Sequence, residues 1–453
     1  MRFTTALRDV SSVCAPTAFQ FASEKIPAAW IDEALRATET ASIRKRKLPA
    51  EHVVWLVLGM ALFRDRSIHA VVEQLGLAKA TEDEGPRGSV VAASVAEARG
   101  RLGAEPMRLL FKRTAKAWHE QRRDDERWRG LEVFAVDGTT QNVPDTKANH
   151  DYFGRPGVSR GGVSAYPKAR LVALTAPRSH LVVGMSIGAF KEGEQTLAAE
   201  LWPLVPDQSV TILDRGFLVL RTLFALQSAE RERHWLTRAT KQTKWTQQKK
   251  LGRGDLLVQL RFSKQALKKD PSLPEGFVVR AIQYQRPGFQ PQWLLTSLLH
   301  HKKYPAQEIA ELYHERWEIE IAFDEKKTHM MQREEALRSK TPQGVLQELW
   351  GLALAYNIVR LMMASVAKEA SVSPRRISFW NALLLIRNFL VMAWHDAPGT
   401  LPKLLANMRG HLRLLILPER RSRSSPRQVK IKMSSYPKKP ALPHARLKTA
   451  SQE

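Results

Sequence analysis

"LEVFAVDGTT", Leu131–Thr140, is the stretch on which the fold turns: a run of apolar and β-branched residues closing on Asp137-Gly138. Such a run predicts a strand that ends at a turn former. Just downstream, "ARLVALTAPRSHLVVGMSIG" (169–188) predicts two more strands joined by a short turn at Pro177–Ser179. "EGEQTLAAELWPLV" (192–205) predicts a helix, and "SVTILDRGF" (209–217) a strand closing on Asp214-Arg215-Gly216. The order is β-β-β-α-β, with an aspartate late in the first and last strands. The first three strands suit an antiparallel meander.

Upstream the texture differs. "AAWIDEALRATETA", "EHVVWLVLGMALF", "IHAVVEQLGL" and "EPMRLLFKRTAKAWHEQ" repeat apolar residues at three-four spacing, which predicts a helical region over 1–130. Downstream, 224–300 is strand-like and turn-rich, with "HWLTRAT", "DLLVQLRF", "GFVVRAIQY" and "QWLLTSLL" set between "QQKKLGRGD" and "QRPGFQPQ". These residues predict a β-rich insertion. Helical pattern returns at "YPAQEIAELYHERWEIEIAFDEKK" and continues through two long apolar helices to 395. The expected plan is a core of 131–223 plus 301–395, an insertion of 224–300 and a tail of 396–453. That tail holds 13 Lys plus Arg against 3 acidic residues and predicts a flexible basic segment.

The chain of 453 residues exceeds a single core, and 43% hydrophobic with 26% charged residues predicts a folded protein. With 71 Lys plus Arg against 45 Asp plus Glu, the net charge is +26. A polyanionic partner follows, nucleic acid first, because each phosphate contact releases counterions. The run Arg44–Lys47 ("RKRK") suits DNA contact or a solvated face equally well. The apolar run Val53–Phe63 is too short to span a bilayer, the N-terminus shows no continuous apolar segment of a leader, and a lone cysteine, Cys14, excludes an internal disulfide. The expectation is a cytoplasmic protein without membrane attachment.

"ELYHERWEIEIAFDEKK", Glu311–Lys327, keeps charges where a buried face should be. At about 100° per residue, Tyr313, Arg316, Glu320 and Lys327 share an arc of roughly 60°. Leu312, Ile319 and Phe323 flank it on one side, Trp317 and Ile321 on the other. Glu315, Glu318, Glu325 and Lys326 fall opposite, so Glu318 and Glu325 are expected in solvent. Buried charges must pair or bind an ion. Arg316 and Glu320, four residues apart, suit a plain internal ion pair, and Asp137 and Asp214 taken singly suit turns. Together, Asp137, Asp214 and Glu320 are oxygen donors suited to two Mg²⁺ ions, which activate an attacking oxygen and stabilise a leaving one in phosphodiester chemistry. His300 and His301 lack a partner at metal spacing.

The spacing Tyr313-x2-Arg316-x3-Glu320-x6-Lys327 resembles the Tyr-Arg-Glu-Lys signature of the DDE transposases of the insertion sequence four family. "AVDGT" and "ILDRGF" resemble the blocks that hold its two catalytic aspartates. The gaps, 76 residues from Asp137 to Asp214 and 105 from Asp214 to Glu320, suit a ribonuclease-H-like α/β core with a β insertion before the last acid. The resemblance spans 130–395 and implies that Asp137, Asp214 and Glu320 bind Mg²⁺, for which Mn²⁺ substitutes, while Tyr313, Arg316 and Lys327 contact DNA phosphates. It also implies cleavage at element ends, transfer of the 3′-OH into target DNA, a homodimer on paired ends, and a bacterial, nucleoid-associated location. Trp293 resembles the family tryptophan that stacks an extruded base, though it also opens an apolar strand and suits a core position. Arg155 and Arg160 lie in a glycine-rich loop that suits a DNA contact or a plain connector. Two other readings remain open: a nuclease that does not join strands, and a DNA-binding relic without catalysis.

Overall fold

Strand β1, Leu131–Asn142, buries its first six residues and is the middle strand of a five-stranded core. It pairs antiparallel with β2 (Lys168–Ala176), Asp137 facing Ala173, and β2 pairs antiparallel with β3 (Leu181–Ala189). A parallel neighbour needs a crossover rather than a hairpin. The helix Glu194–Ala198 supplies it and returns the chain as β4 (Ser209–Leu213), parallel to β1 with Val136 beside Leu213. The helix Leu220–Leu226 makes a second crossover to β5 (Arg233–Arg238), parallel to β4 with Ile212 beside Leu236. The order β3-β2-β1-β4-β5, with the last two strands parallel to the first, is that of a ribonuclease-H-like core. In this computed structural model the described residues are 16–23, 25–42, 47–78, 90–158, 162–227, 230–286, 290–331, 336–395 and 398–419.

Two features differ from the expected plan. The expected insertion boundary at 224 falls ahead of β5, which is the fifth strand of the core, so the added β structure begins after it. That addition comprises β6 (Thr246–Gly252), β7 (Asp255–Arg261), β8 (Gly276–Tyr284) and β9 (Gln292–Thr296). Strand β9 pairs antiparallel with β5, and β8, β7 and β6 follow in order, so the insertion continues the core sheet. Strand β6 lies in a segment whose sequence predicts only turns. Its first five residues are all exposed, and a strand wet on both faces shows no alternation.

Helices α1 (Ala28–Ala37), α2 (Ala50–Leu62) and α3 (Glu105–Glu120) share one apolar cluster with the C-terminal helices, from Ile31, Leu56 and Trp118 to Tyr356, Phe389 and Leu412. The N-terminal helices therefore do not carry a core of their own. Helix α4 (Ala306–His314) leads through Glu315 and Arg316 into α5 (Trp317–Asp324), which runs into a π-helical turn, Glu325–Met330. The axis of the cluster is α6, Pro342–Glu369. It is long and apolar enough to span a membrane, but 89% of its most apolar window is buried inside the protein. Gly351 lets α2 approach it closely, since a Cβ there would lie 2.4 Å from Val57 Cγ1. Asn357 ties α6 to β3 by hydrogen bonds of 2.9 Å with both Val182 N–H and C=O. After α7 (Phe379–His395), the expected flexible tail begins instead with a helix, α8 (Leu401–Leu414), which buries Leu401, Met408 and Leu412. Cys14, residues 44–46, Arg160 and residues 420–453 lie outside the described residues.

The expectation of solvated Glu318 and Glu325 does not hold, because the β2–β3 turn and Arg375 meet Glu318 while α6 meets Glu325. Glu318 Oε2 pairs with His180 Nε2 at 2.7 Å, and its other oxygen lies 3.6 Å from Arg375. The π-helical turn changes the angular step and swings Glu325 inward, where it accepts hydrogen bonds from Arg360 and, at 2.8 Å, from Tyr356 Oη. Burial alone would raise the Glu325 carboxyl, but Arg360 and His180 outweigh it and hold it down to about 2. Lys326, also buried, lies over the Phe323 and Tyr356 rings at 4.7 and 4.9 Å.

Removing one partner of a buried pair strands the other. Arg360→Met is expected to destabilise the protein by about 3–5 kcal/mol, read as a lowered urea midpoint. The Glu325 contribution, fully present above its ordinary value of 4.5, should fade as pH falls toward 2 in the parent protein.

Candidate functional site

The parallel registers, Val136 beside Leu213 and Ile212 beside Leu236, bring Asp137, Asp214 and Arg238 level on three adjacent strands. Neighbouring strands stand about 4.8 Å apart, so the two aspartates are side by side. Alternation places both on the face where Ala135, Val210 and Ile212 pack with Tyr313 and Ile319 of α4 and α5. The helix carrying Glu320 thus lies over Asp137, within β1, and Asp214, just past the end of β4.

Backbone amides fix one oxygen of each aspartate. Gly138 N–H donates to Asp137 Oδ1 at 2.8 Å, and Gly216 N–H donates to Asp214 Oδ1 at 2.7 Å. Asp214 caps the turn Arg215–Phe217, as its Asp-Arg-Gly sequence predicts, whereas the turn expected at Asp137-Gly138 does not form, because the ladder to β2 carries β1 on through Gly138, opposite Val172, to Asn142. Arg316 Nη2 donates to Glu320 Oε1 at 2.6 Å, while Nη1 stands 3.9 Å from Asp137 Oδ2. Lys327 Nζ donates to Thr139 Oγ1 on β1, two residues past Asp137 and on the same face. Tyr313 is buried, its ring meeting Tyr284 edge-on at 6.4 Å.

Six of the seven expected site residues thus gather on one side of the sheet. Trp293 sits two strands from Asp214 at the same end, opposite Gln283 and next to Ala239. Its side chain points to the other face, half-buried against Trp245 at 5.6 Å. The core reading of this tryptophan accounts for those contacts. Arg155 donates to the Ser164 and Ala165 carbonyls, both at 3.0 Å, as a loop connector would.

Three residues were missed from sequence. Arg238 ends its strand as Asp214 does, and that shared strand-end position is the signal that could have found it. Thr139 carried no signal beyond its place after Asp137-Gly138. Arg286 lies beside His314, whose pKa is pushed down to about 4 by burial and by that guanidinium.

Burial raises the Asp137 pKa to about 6, and the Asp214 and Glu320 charges add to it against Gly138 N–H and Arg316. Burial also lowers Lys327, helped by Lys168 and opposed by Asp137. The carboxylates crowd one another with a guanidinium wedged among them. All three offer oxygen donors, the set hard divalent cations take. Among the described residues no group of three or more His, Cys, Asp or Glu side chains is gathered at metal-holding distance; Glu320 is turned onto Arg316. In donor chemistry and in charge the site fits a divalent cation that would take over the place of the guanidinium.

Residues 16–112 match the family described as insertion element 4 transposase N-terminal, and residues 128–358 match the transposase DDE domain. The chain is 36% identical over 411 residues to "Transposase InsG for insertion sequence element IS4" of Escherichia coli K12, covering 90% of this chain and 91% of that protein. A second relative from the same organism, "Putative transposase InsZ", is 32% identical over 226 residues, half of this chain and 73% of that protein. A solved structure, the piggyBac transposase synaptic complex with hairpin DNA, aligns over 83% of this chain and 78% of its own at 12% identity and a TM-score of 0.40.

The raised Asp137 pKa carries a stability signature. The folded state holds that proton above the ordinary value of 3.8, so stability falls as pH rises from there through about 6. Asp137→Asn should melt higher than the parent at pH 8, by about 1–3 kcal/mol, and show no such gain near pH 3.5. Thermal unfolding of the metal-free proteins at the two pH values checks it.

Proposed function

This chain belongs to the insertion element 4 family of DDE transposases and is an insertion-sequence transposase, and we propose that it cuts at the ends of its element and joins the freed 3′-OH to target DNA with Asp137, Asp214 and Glu320 as catalytic carboxylates. The family uses divalent metal and acts on DNA; we assign Mg²⁺, two ions, with Mn²⁺ able to replace it. A homodimer on paired ends, in the cytoplasm at the nucleoid, completes the reading. The observation that supports it most is the level row of Asp137 and Asp214 beneath Glu320.

Two bound divalent ions would supply an activated attacking oxygen and a stabilised leaving oxygen in an in-line displacement. The chain provides the frame for that. Gly138 and Gly216 N–H groups hold one oxygen of each aspartate and leave Oδ2 of each for a cation. Glu320 joins them once its oxygen is released from Arg316. Arg316 then faces the DNA with its forked donors, which suit a phosphate bidentately, and Lys327 presents a point charge steadied by Thr139. Tyr313, buried beneath them, holds the helix at its depth, and a phosphate contact through its hydroxyl belongs to the same proposal. Trp293, at the same end of the sheet, is the aromatic group that would stack on an unpaired base.

Glu320→Gln keeps the shape and removes the charge. It should lower Mg²⁺-dependent cleavage of element-end DNA by at least about a thousandfold, given that such charge contributes several kcal/mol, while end binding stays near the parent level. Cleavage within tenfold of the parent would remove Glu320 from the metal site. Precleaved ends incubated with plasmid and Mg²⁺ test the joining step, since a nuclease yields no joined product.

A further inference from the structure

The far edge of the sheet carries a concentration of charge that the catalytic reading does not use. Residues 241–269 hold nine Lys and Arg against a single acid, Asp255. That acid is consumed internally: Arg280, itself buried, binds it with hydrogen bonds of 2.7 and 2.6 Å. All nine cations are exposed, and among the described residues none of them forms an ion pair. Lys249 and Lys250 stand on the edge strand β6, Arg253 at the β6–β7 turn, and Lys264, Lys268 and Lys269 on the short helix that follows β7. Lysines on an edge strand discourage pairing with other chains, which would account for Lys249 and Lys250. It does not account for the turn or the helix.

We propose that this edge of the insertion is a docking surface for the target DNA duplex, held through its phosphate backbone. The chemistry selects that occupant. Lysine ammonium groups on flexible stems grip phosphates as point charges and carry no sequence information, which suits a duplex bound whatever its sequence. Element ends have a defined sequence and meet Tyr313, Arg316 and Lys327 elsewhere on the sheet. From β4 to β6 the sheet counts five strand spacings, about 24 Å, so a duplex seated at Asp214 and running across the strands reaches the patch after roughly seven base pairs.

The inference rests on the transposase reading, and its test keeps the two apart. Full-length protein carrying Lys249→Gln, Lys250→Gln, Lys264→Gln and Lys268→Gln is compared with the parent. Binding of a 40-base-pair mixed-sequence duplex is followed across salt concentrations, alongside cleavage of element ends and joining of precleaved ends to a plasmid. The expected result is a log-log salt slope shallower by about 2–4 and joining reduced at least about tenfold, with end cleavage within twofold. An unchanged slope with unchanged joining overturns the proposal and leaves the lysines as guards of an exposed edge. Cleavage and joining falling together also overturns it, placing the element end on this patch. Failure of the parent itself to cut or join would instead sink the transposase reading.

Discussion

The parallel pairing of β1 with β4 is the constraint on which the rest depends. It sets Val136 beside Leu213, and so makes neighbours of two aspartates separated by 76 intervening residues. A one-residue slip would turn Asp214 to the opposite face, where Leu213 and Phe217 pack, and no side-chain adjustment could return it. The register is secured from both sides, by the apolar rows of the two sheet faces and by the meander that holds β1 against β2.

Charge in this protein is arranged in two layers around α5. On the sheet side, Asp137, Asp214 and Glu320 repel one another and are only partly relieved by Arg316. On the far side, Glu318 and Glu325 are fully met by His180, Arg375, Arg360 and Tyr356. The satisfied layer holds the helix in place against the repulsion in the other. Crowding like charges lowers local stability, and the buried network next to them offsets that loss.

Much of this was legible in sequence because it depends on local pattern. The apolar run closing on Asp214 marks a strand end, the run before Asp137 marks only the buried half of a longer strand, and a helical wheel separates Glu320 from its acidic neighbours. The rest depends on contacts that pattern does not record. A wheel assumes one uniform helix, whereas the segment kinks at Glu315–Arg316 and changes pitch at Glu325, and His180, Arg375 and Arg360 meet the acids that the wheel assigned to water. Strand β6 was invisible because neither of its faces is apolar, and β5 was set outside the core because its sequence resembles the strands after it. The helix α8 was hidden by the basic composition of the tail, although Leu401, Met408 and Leu412 mark its buried face.

Because β9 bonds directly to β5, the insertion is not a module that could be lifted out of the chain. Excision would leave β5 with a bare row of amides and carbonyls, an open template for pairing with other molecules. A chain shortened by this segment would therefore need another cover for the fifth strand.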